Sequence, residues 1–294
     1  MMKRILRLTA FLLGLTLLLS ACGNTKGKEM VDASTQTAPP VEGVTALALC
    51  DGDVTLRFEK DETGAWTWFD DPAFPLDQTA LEDLLALPAA LDSGETVANV
   101  QELAVYGLEA PKKYITVTSD GVDVVYYLGD QAADGRWYVL TPAGTVRYTS
   151  DENKMLLSRS IYAMAVLPVL PVIEPDRLVS VSLLRADGTR RSANRDVTEK
   201  TAALADEIAA LTLTACVDYD PAEGAAAVCG LDTPEVTLTV NYLADNSAER
   251  TLILAVGLST GDGGRYVALD GDTTIYRMEE SSLTQILTLS ETGL

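Results

Sequence analysis

The sequence predicts an α+β protein of two similar domains, each a mainly antiparallel β-meander sheet packed with helices. Three observations predict it. The chain repeats itself, with "AVYGLEAP" at 104–111 and "AVCGLDTP" at 227–234. Each copy then runs through the same features: two alternating strands with a glycine at Gly129 or Gly257, "GRWYV" (135–139) or "GRYVA" (264–268), and "TVRY" (145–148) or "TIYR" (274–277). Each ends in an acidic helix start and a Leu-rich stretch. A self-match of this length marks an internal duplication.

The elements follow in order. Residues 1–21 read as a secretory leader, with Lys3, Arg4 and Arg7 ahead of the apolar run 8–20, which is too short to span a bilayer. Leu19-Ser20-Ala21-Cys22 resembles the lipobox of bacterial lipoproteins. That resemblance implies cleavage before Cys22, a diacylglycerol thioether and palmitate-type acylation on Cys22, and a chain held on the extracytoplasmic face of the cell membrane. Two acyl chains, at about 0.8 kcal/mol per buried CH2, make a stable anchor. Residues 22–43 are polar, small and Pro-ended, as a flexible tether would be.

The first repeat is expected over 44–157. "TALALC" (45–50), "VTLRFEK" (54–60) and "AWTWF" (65–69) alternate as strands do, with turns at Asp51-Gly52 and Thr63-Gly64. A helix is expected over 76–87, capped by Asp77 or Thr79, turning Leu81, Leu84 and Leu85 inward and stopped by Pro88. A Pro-containing linker at 158–175 leads to the second repeat, 176–294. There a hairpin turns at Asp187-Gly188, and a helix over 198–211 carries Leu204, Ile208 and Leu211 on one stripe.

The repeated motif itself has a local explanation. Asp220, Pro221 and Glu223 have capping-box spacing ahead of a short helix, and Asn99 and Glu102 are placed similarly in the first copy. Gly107 and Gly230 then stand where a helix stops in the left-handed region, and Leu108 and Leu231 where the following apolar residue tucks under it. Pro111 and Pro234 direct the chain into extended structure. The glycines therefore serve backbone geometry rather than a phosphate cradle.

The lipobox, the "WTWF" strand, the Leu-rich helix, the "YGLEAP" joint and the "LGDQAADGRWYV" meander together resemble the bacterial family called domain of unknown function 4340, in two tandem copies covering most of 44–290. The resemblance implies an envelope-attached accessory role, with envelope proteins or an ABC-type transporter as partners. It supplies no catalytic residues.

Composition narrows the chemistry. The formal charge is −21, becoming −24 once the leader is removed, and such a surface repels nucleic acid and anionic headgroups. No histidine is present, which excludes Ser-His-Asp and Cys-His catalysis and His-bearing zinc sites. Beyond Cys22, the cysteines Cys50, Cys216 and Cys229 are odd in number and lack CxxC spacing; a Cys216–Cys229 pair and buried free thiols both fit. Neither metal nor cofactor is expected.

Five stretches are candidates for chemistry. Asp70, Asp71 and Asp77 lie near aromatics, but "DDP" suits a turn. The acidic "DYDPAEG" (218–224) and "DGD" (270–272) do not match a calcium loop. "GLSTGDGGRY" (257–266) lacks the end of a P-loop and reads as a hairpin. Trp66 and Trp68 share one strand face: a core pair if buried, a ligand face if exposed. The apolar linker would be an interface patch if left uncovered.

Three functions remain: a non-enzymatic binding or scaffolding lipoprotein of an envelope complex, a small-ligand or glycan binder using Trp66 and Trp68 or the cleft between copies, and a carboxylate hydrolase. The first is the reading adopted.

Overall fold

The computed structural model describes residues 37–194 and 198–292; the leader, Cys22 and most of the tether lie outside the described residues. The first half contains β1 (Val44–Asp51), β2 (Val54–Lys60), β3 (Trp66–Trp68), α1 (Gln78–Ser93), β4 (Lys113–Ser119), β5 (Val122–Gln131), β6 (Trp137–Leu140), β7 (Val146–Thr149) and α2 (Asp151–Leu157). The second contains β8 (Leu178–Arg185), β9 (Arg190–Asn194), α3 (Thr198–Ala209), β10 (Leu213–Asp218), α4 (Ala225–Val228), β11 (Val236–Leu243), β12 (Glu249–Ser259), β13 (Gly264–Leu269), β14 (Ile275–Glu279) and α5 (Glu280–Thr292).

Each half builds a seven-stranded antiparallel sheet. The orders are β3-β2-β1-β4-β5-β6-β7 and β9-β8-β11-β12-β13-β14-β10. The α+β fold with two similar domains is therefore present. The edges differ. Among the described residues, only the first half has a strand in the place of β3, and only the second has a full strand in the place of β10. At β10's place the first half has a short pairing instead: Val97 N–H donates to Val146 O (3.0 Å) and Tyr148 N–H to Glu95 O (2.8 Å).

Strand alternation selects what is buried. Leu47, Leu49, Ile115, Val117, Tyr126 and Val139 face α1 and α2, while Val181, Leu183, Leu238, Val256 and Val267 face α3 and α5. Fully burying one such side chain is worth roughly 1.5–3 kcal/mol. Tyr126 keeps a polar partner in the core: its hydroxyl donates to Asp92 Oδ2 (2.9 Å), which also accepts the N–H of Ala38 (2.7 Å). Burial, reinforced by that carboxylate, pushes the phenol pKa well up, so it stays a donor.

The helix-stop joint forms in both halves. Gly107 has φ 69° and Gly230 φ 70°. Gly107 N–H donates to Ala104 O and Leu108 N–H to Leu103 O; Gly230 N–H donates to Ala227 O and Leu231 N–H to Ala226 O. This is the Schellman bond pair. Each joint rests on the outer face of its sheet, directly over Gly129 or Gly257. A Cβ there would meet Tyr106 O at 2.2 Å or Cys229 O at 2.3 Å.

Five expectations need correction. Leu108 is buried but Leu231 is only half-buried. Helix α4 begins at Ala225 with Gly224 as its uncapped start, so Asp220 and Glu223 form no capping box. In the first copy Asn99 is itself left-handed, and Glu102 precedes a 3-10 turn without capping it. Pro88 does not stop α1, which runs to Ser93 because Leu87 just before the proline and Leu91 beyond it are both buried. Finally, "GRWYV" and "GRYVA" are offset by one residue: Trp137 pairs with Gln131 and Arg265 with Ser259, so that Val139 and Val267 both point inward.

Candidate binding site along the crossover

The chain between the halves, residues 158–174, belongs to neither sheet. Its path follows from its capping residues. Ser150 Oγ accepts from Asn153 N–H and starts α2, and buried Leu157 ends it. Ser160 Oγ then accepts from Ala163 N–H and starts a 3-10 turn over Ile161–Met164. Met164 is fully buried, and its carbonyl accepts from Asp77 N–H (2.8 Å) while Val166 N–H donates to Pro75 O (2.7 Å). The crossover is thereby sewn to the segment that enters α1.

This path leaves a groove of about 350 Å³ between the β1–β2 hairpin and residues 157–162. Leu49, Val54, Leu56, Leu157 and Ile161 make it mainly apolar, and Asp51 stands at its end. Asp51 pairs with Lys113 at 2.6 Å. The hydrogen bond from that ammonium holds the carboxyl below its ordinary pKa, so it is charged at neutral pH. On the rim Arg159 lies 3.8 Å from Asp83.

Further on, the sequence "VLPVLPVI" (166–173) packs with a period of three, the repeat of a polyproline II helix. Leu167, Leu170 and Ile173 lie against the second core. Val166, Val169 and Val172 are left 53%, 94% and 72% exposed. The linker is thus packed on one side and bare on another.

Beside the crossover the halves meet through aromatics. Tyr219, at the end of β10, sets its ring edge-on to Phe74 (5.1 Å) and donates its hydroxyl to Ala73 O (3.2 Å). Tyr162 donates to Asp218 (3.2 Å); burial and then that carboxylate raise its pKa. Phe74 also meets Trp68 at 5.5 Å.

The residues singled out by sequence are distributed differently from a single site. Trp66 is buried in the first core and Trp68 is half-buried against Phe74, so the pair presents no open ligand face. Asp70 pairs with Arg57 (3.1 Å), Asp71 closes a turn on Ala73 N–H, and Asp77 caps α1. The three carboxylates thus have separate structural partners. The 257–266 stretch is the hairpin between β12 and β13, and Asp272 of "DGD" accepts from Thr274 N–H and the Tyr276 hydroxyl. Among the described residues no group of three His, Cys, Asp or Glu side chains is placed to hold a metal.

Cys50, Cys216 and Cys229 are free and buried. Burial first, then Asp218 and Asp272, pushes the Cys216 thiol up to about 11; burial and Asp218 also raise Cys229. Both thiols are protonated and weak nucleophiles at neutral pH. The groove escaped sequence reading because its walls come from segments about 100 residues apart. The valine stripe was legible in principle as a Val-Leu-Pro period.

The family model described as "Domain of unknown function (DUF4340)" matches residues 66–207 and 198–292. Both matched segments contain a helix-stop joint and the meander that follows it. No curated protein and no solved structure matches the chain. No helix among the described residues is long and apolar enough to cross a membrane.

Proposed function

The chain belongs to the DUF4340 family, and from that premise we propose that it is a lipid-anchored, non-enzymatic binding or scaffolding component of a cell-envelope complex, with a membrane protein such as a transporter subunit as partner. The observation that carries this reading is the valine stripe. Val166, Val169 and Val172 bare three apolar side chains on a strut whose other side is fixed by the second core. Exposed apolar surface on a rigid support is the mark of an interaction site. The lack of histidine and the protonated thiols favour binding over catalysis. The lipobox motif at 19–22 supports the anchor on Cys22.

A photo-crosslinking residue at Val169, in the full chain in its native host, tests the reading. One discrete crosslinked species is expected in the membrane fraction, lost on Val166→Asp with Val172→Asp. Cys22→Ser should release the chain from that fraction. Crosslinking at Val169 no stronger than at Val122, an exposed valine on the β4–β5 hairpin, would overturn the binding surface.

A further inference from the structure

The groove in the first half occupies a place that is filled in the second. Register fixes the equivalence. Asp51 pairs with Lys113 as Arg185 pairs with Val236, each two residues past the proline of its joint. Across the hairpins Leu49 faces Leu56 as Leu183 faces Arg191. Strands β7 and β14 then place α2 and α5 in step, so that buried Leu157 corresponds to buried Ile286.

Beyond that residue the halves part. Helix α5 continues to Thr292 and lies over its hairpin: Arg185 Nη1 donates to Ser290 Oγ (2.8 Å), and Arg191 Nη2 donates to Glu291 O (3.3 Å). Ser290 is fully buried there. Helix α2 stops at Leu157, the chain turns off through Ser158, and the corresponding seat stays open as the groove.

The seat has also changed character. Where the second half has Arg185 and Arg191, the first has Asp51 and Leu56, so the floor is more apolar. Cations now stand elsewhere: Lys113 on Asp51, Lys154 near it, and Arg159 lining the groove, with Asp83 reaching Arg159 from α1. Lys113 and Arg159 are each matched by a carboxylate, Asp51 and Asp83. An apolar floor suits an apolar helical segment, which is what the end of α5, with Ile286 and Leu287, supplies in the second half.

We propose that the first-half groove is a docking seat for a short helical segment of a partner protein, apolar on one side, which completes the fold as the last turns of α5 complete the second half. The seat is distinct from the valine stripe, so either proposal can fail while the other stands.

The test uses a synthetic peptide of residues 283–292 of this chain, titrated into the full chain labelled at Ile, Leu and Val methyls. Saturable shifts are expected at Val54, Leu56 and Ile161. Glu291 lies 3.5 Å from Arg185 in the second half, and Asp51 holds that place here, so Glu291→Lys in the peptide should strengthen binding about tenfold, as gain of one charge-assisted contact would. Val54→Asp in the protein should abolish the shifts; Val54 is 60% exposed, so an unchanged melting curve verifies the fold of that variant. Shifts that survive Val54→Asp, or that appear only at other methyls, would overturn the proposal. So would laurate shifting these methyls while the peptide leaves them unmoved, since the seat would then take a lipid chain.

Discussion

The first and second halves of this protein share one plan and differ at its edges and at its last helix. Both set a helix-stop joint on a strand glycine, and both follow it with a four-strand meander and a helix. The shared parts are those where backbone touches backbone: the joint carbonyl over Gly129 or Gly257 leaves no room for a side chain. The divergent parts are those where only side chains meet. Arg185 and Arg191 hold the end of α5, whereas Asp51 and Leu56 face an open groove. Duplication therefore preserved what geometry forbids changing and altered what could be repacked.

The comparison can be broken first at its fixed point. Gly129→Val and Gly257→Val each drive a side chain into a carbonyl of the overlying joint, at 2.2 and 2.3 Å already for the Cβ. Each should cost about 3 kcal/mol or more, at or beyond the upper end of ordinary overpacking, because the obstacle is backbone. Denaturant melts measure it. Similar losses in the two variants would match the symmetry; a mild effect in either would break it.

A smaller effect is expected where the halves touch. Each half has its own buried core. Yet Tyr219, from the second sheet, packs against Phe74 of the first core and donates to Ala73 O. Tyr219→Ala should cost roughly 1–3 kcal/mol through the lost ring contact and hydrogen bond. It should also separate one melting transition into two by calorimetry. A single unshifted transition would show that the junction does not couple the halves.

The smallest effect concerns Asp51. Its folded pKa lies below the ordinary 3.8, chiefly through Lys113. A depressed carboxyl pKa stabilises the fold above its unfolded value and loses that contribution as pH falls through the folded one. The pair is more than a third exposed, so solvent screening keeps its worth under about 1 kcal/mol. Asp51→Asn should therefore be slightly less stable than the parent at neutral pH, with the gap closing below pH 3.8. A gap that persists in acid would assign the effect to something other than the ion pair.

Much of the fold was legible because its signals are local. Gly-Leu after a short helix, Asp-Gly between alternating runs, and Asp77 before a Leu-rich stretch each report on a few neighbouring residues. The failures were tertiary. Pro88 reads as a stop until Leu91 is seen to be buried beyond it, and Gly-Arg invites an alignment that the inward-facing valines overrule. Trp66 and Trp68, by contrast, both pack on the first core, as the core reading of that strand face expected. The groove could not be read at all, since it is an absence: the place where α2 ends a turn and a half before its counterpart.

That absence is the centre of the account, and backbone chemical shifts test it most directly. Residues 287–291 should show the carbon shifts of α-helix, while Ser158, Arg159 and Ser160 should not, with the chain re-entering a tight turn only at Ile161. Helical shifts running unbroken from Asp151 through Tyr162 would mean that the first half closes its own seat, and would contradict the asymmetry on which the groove depends.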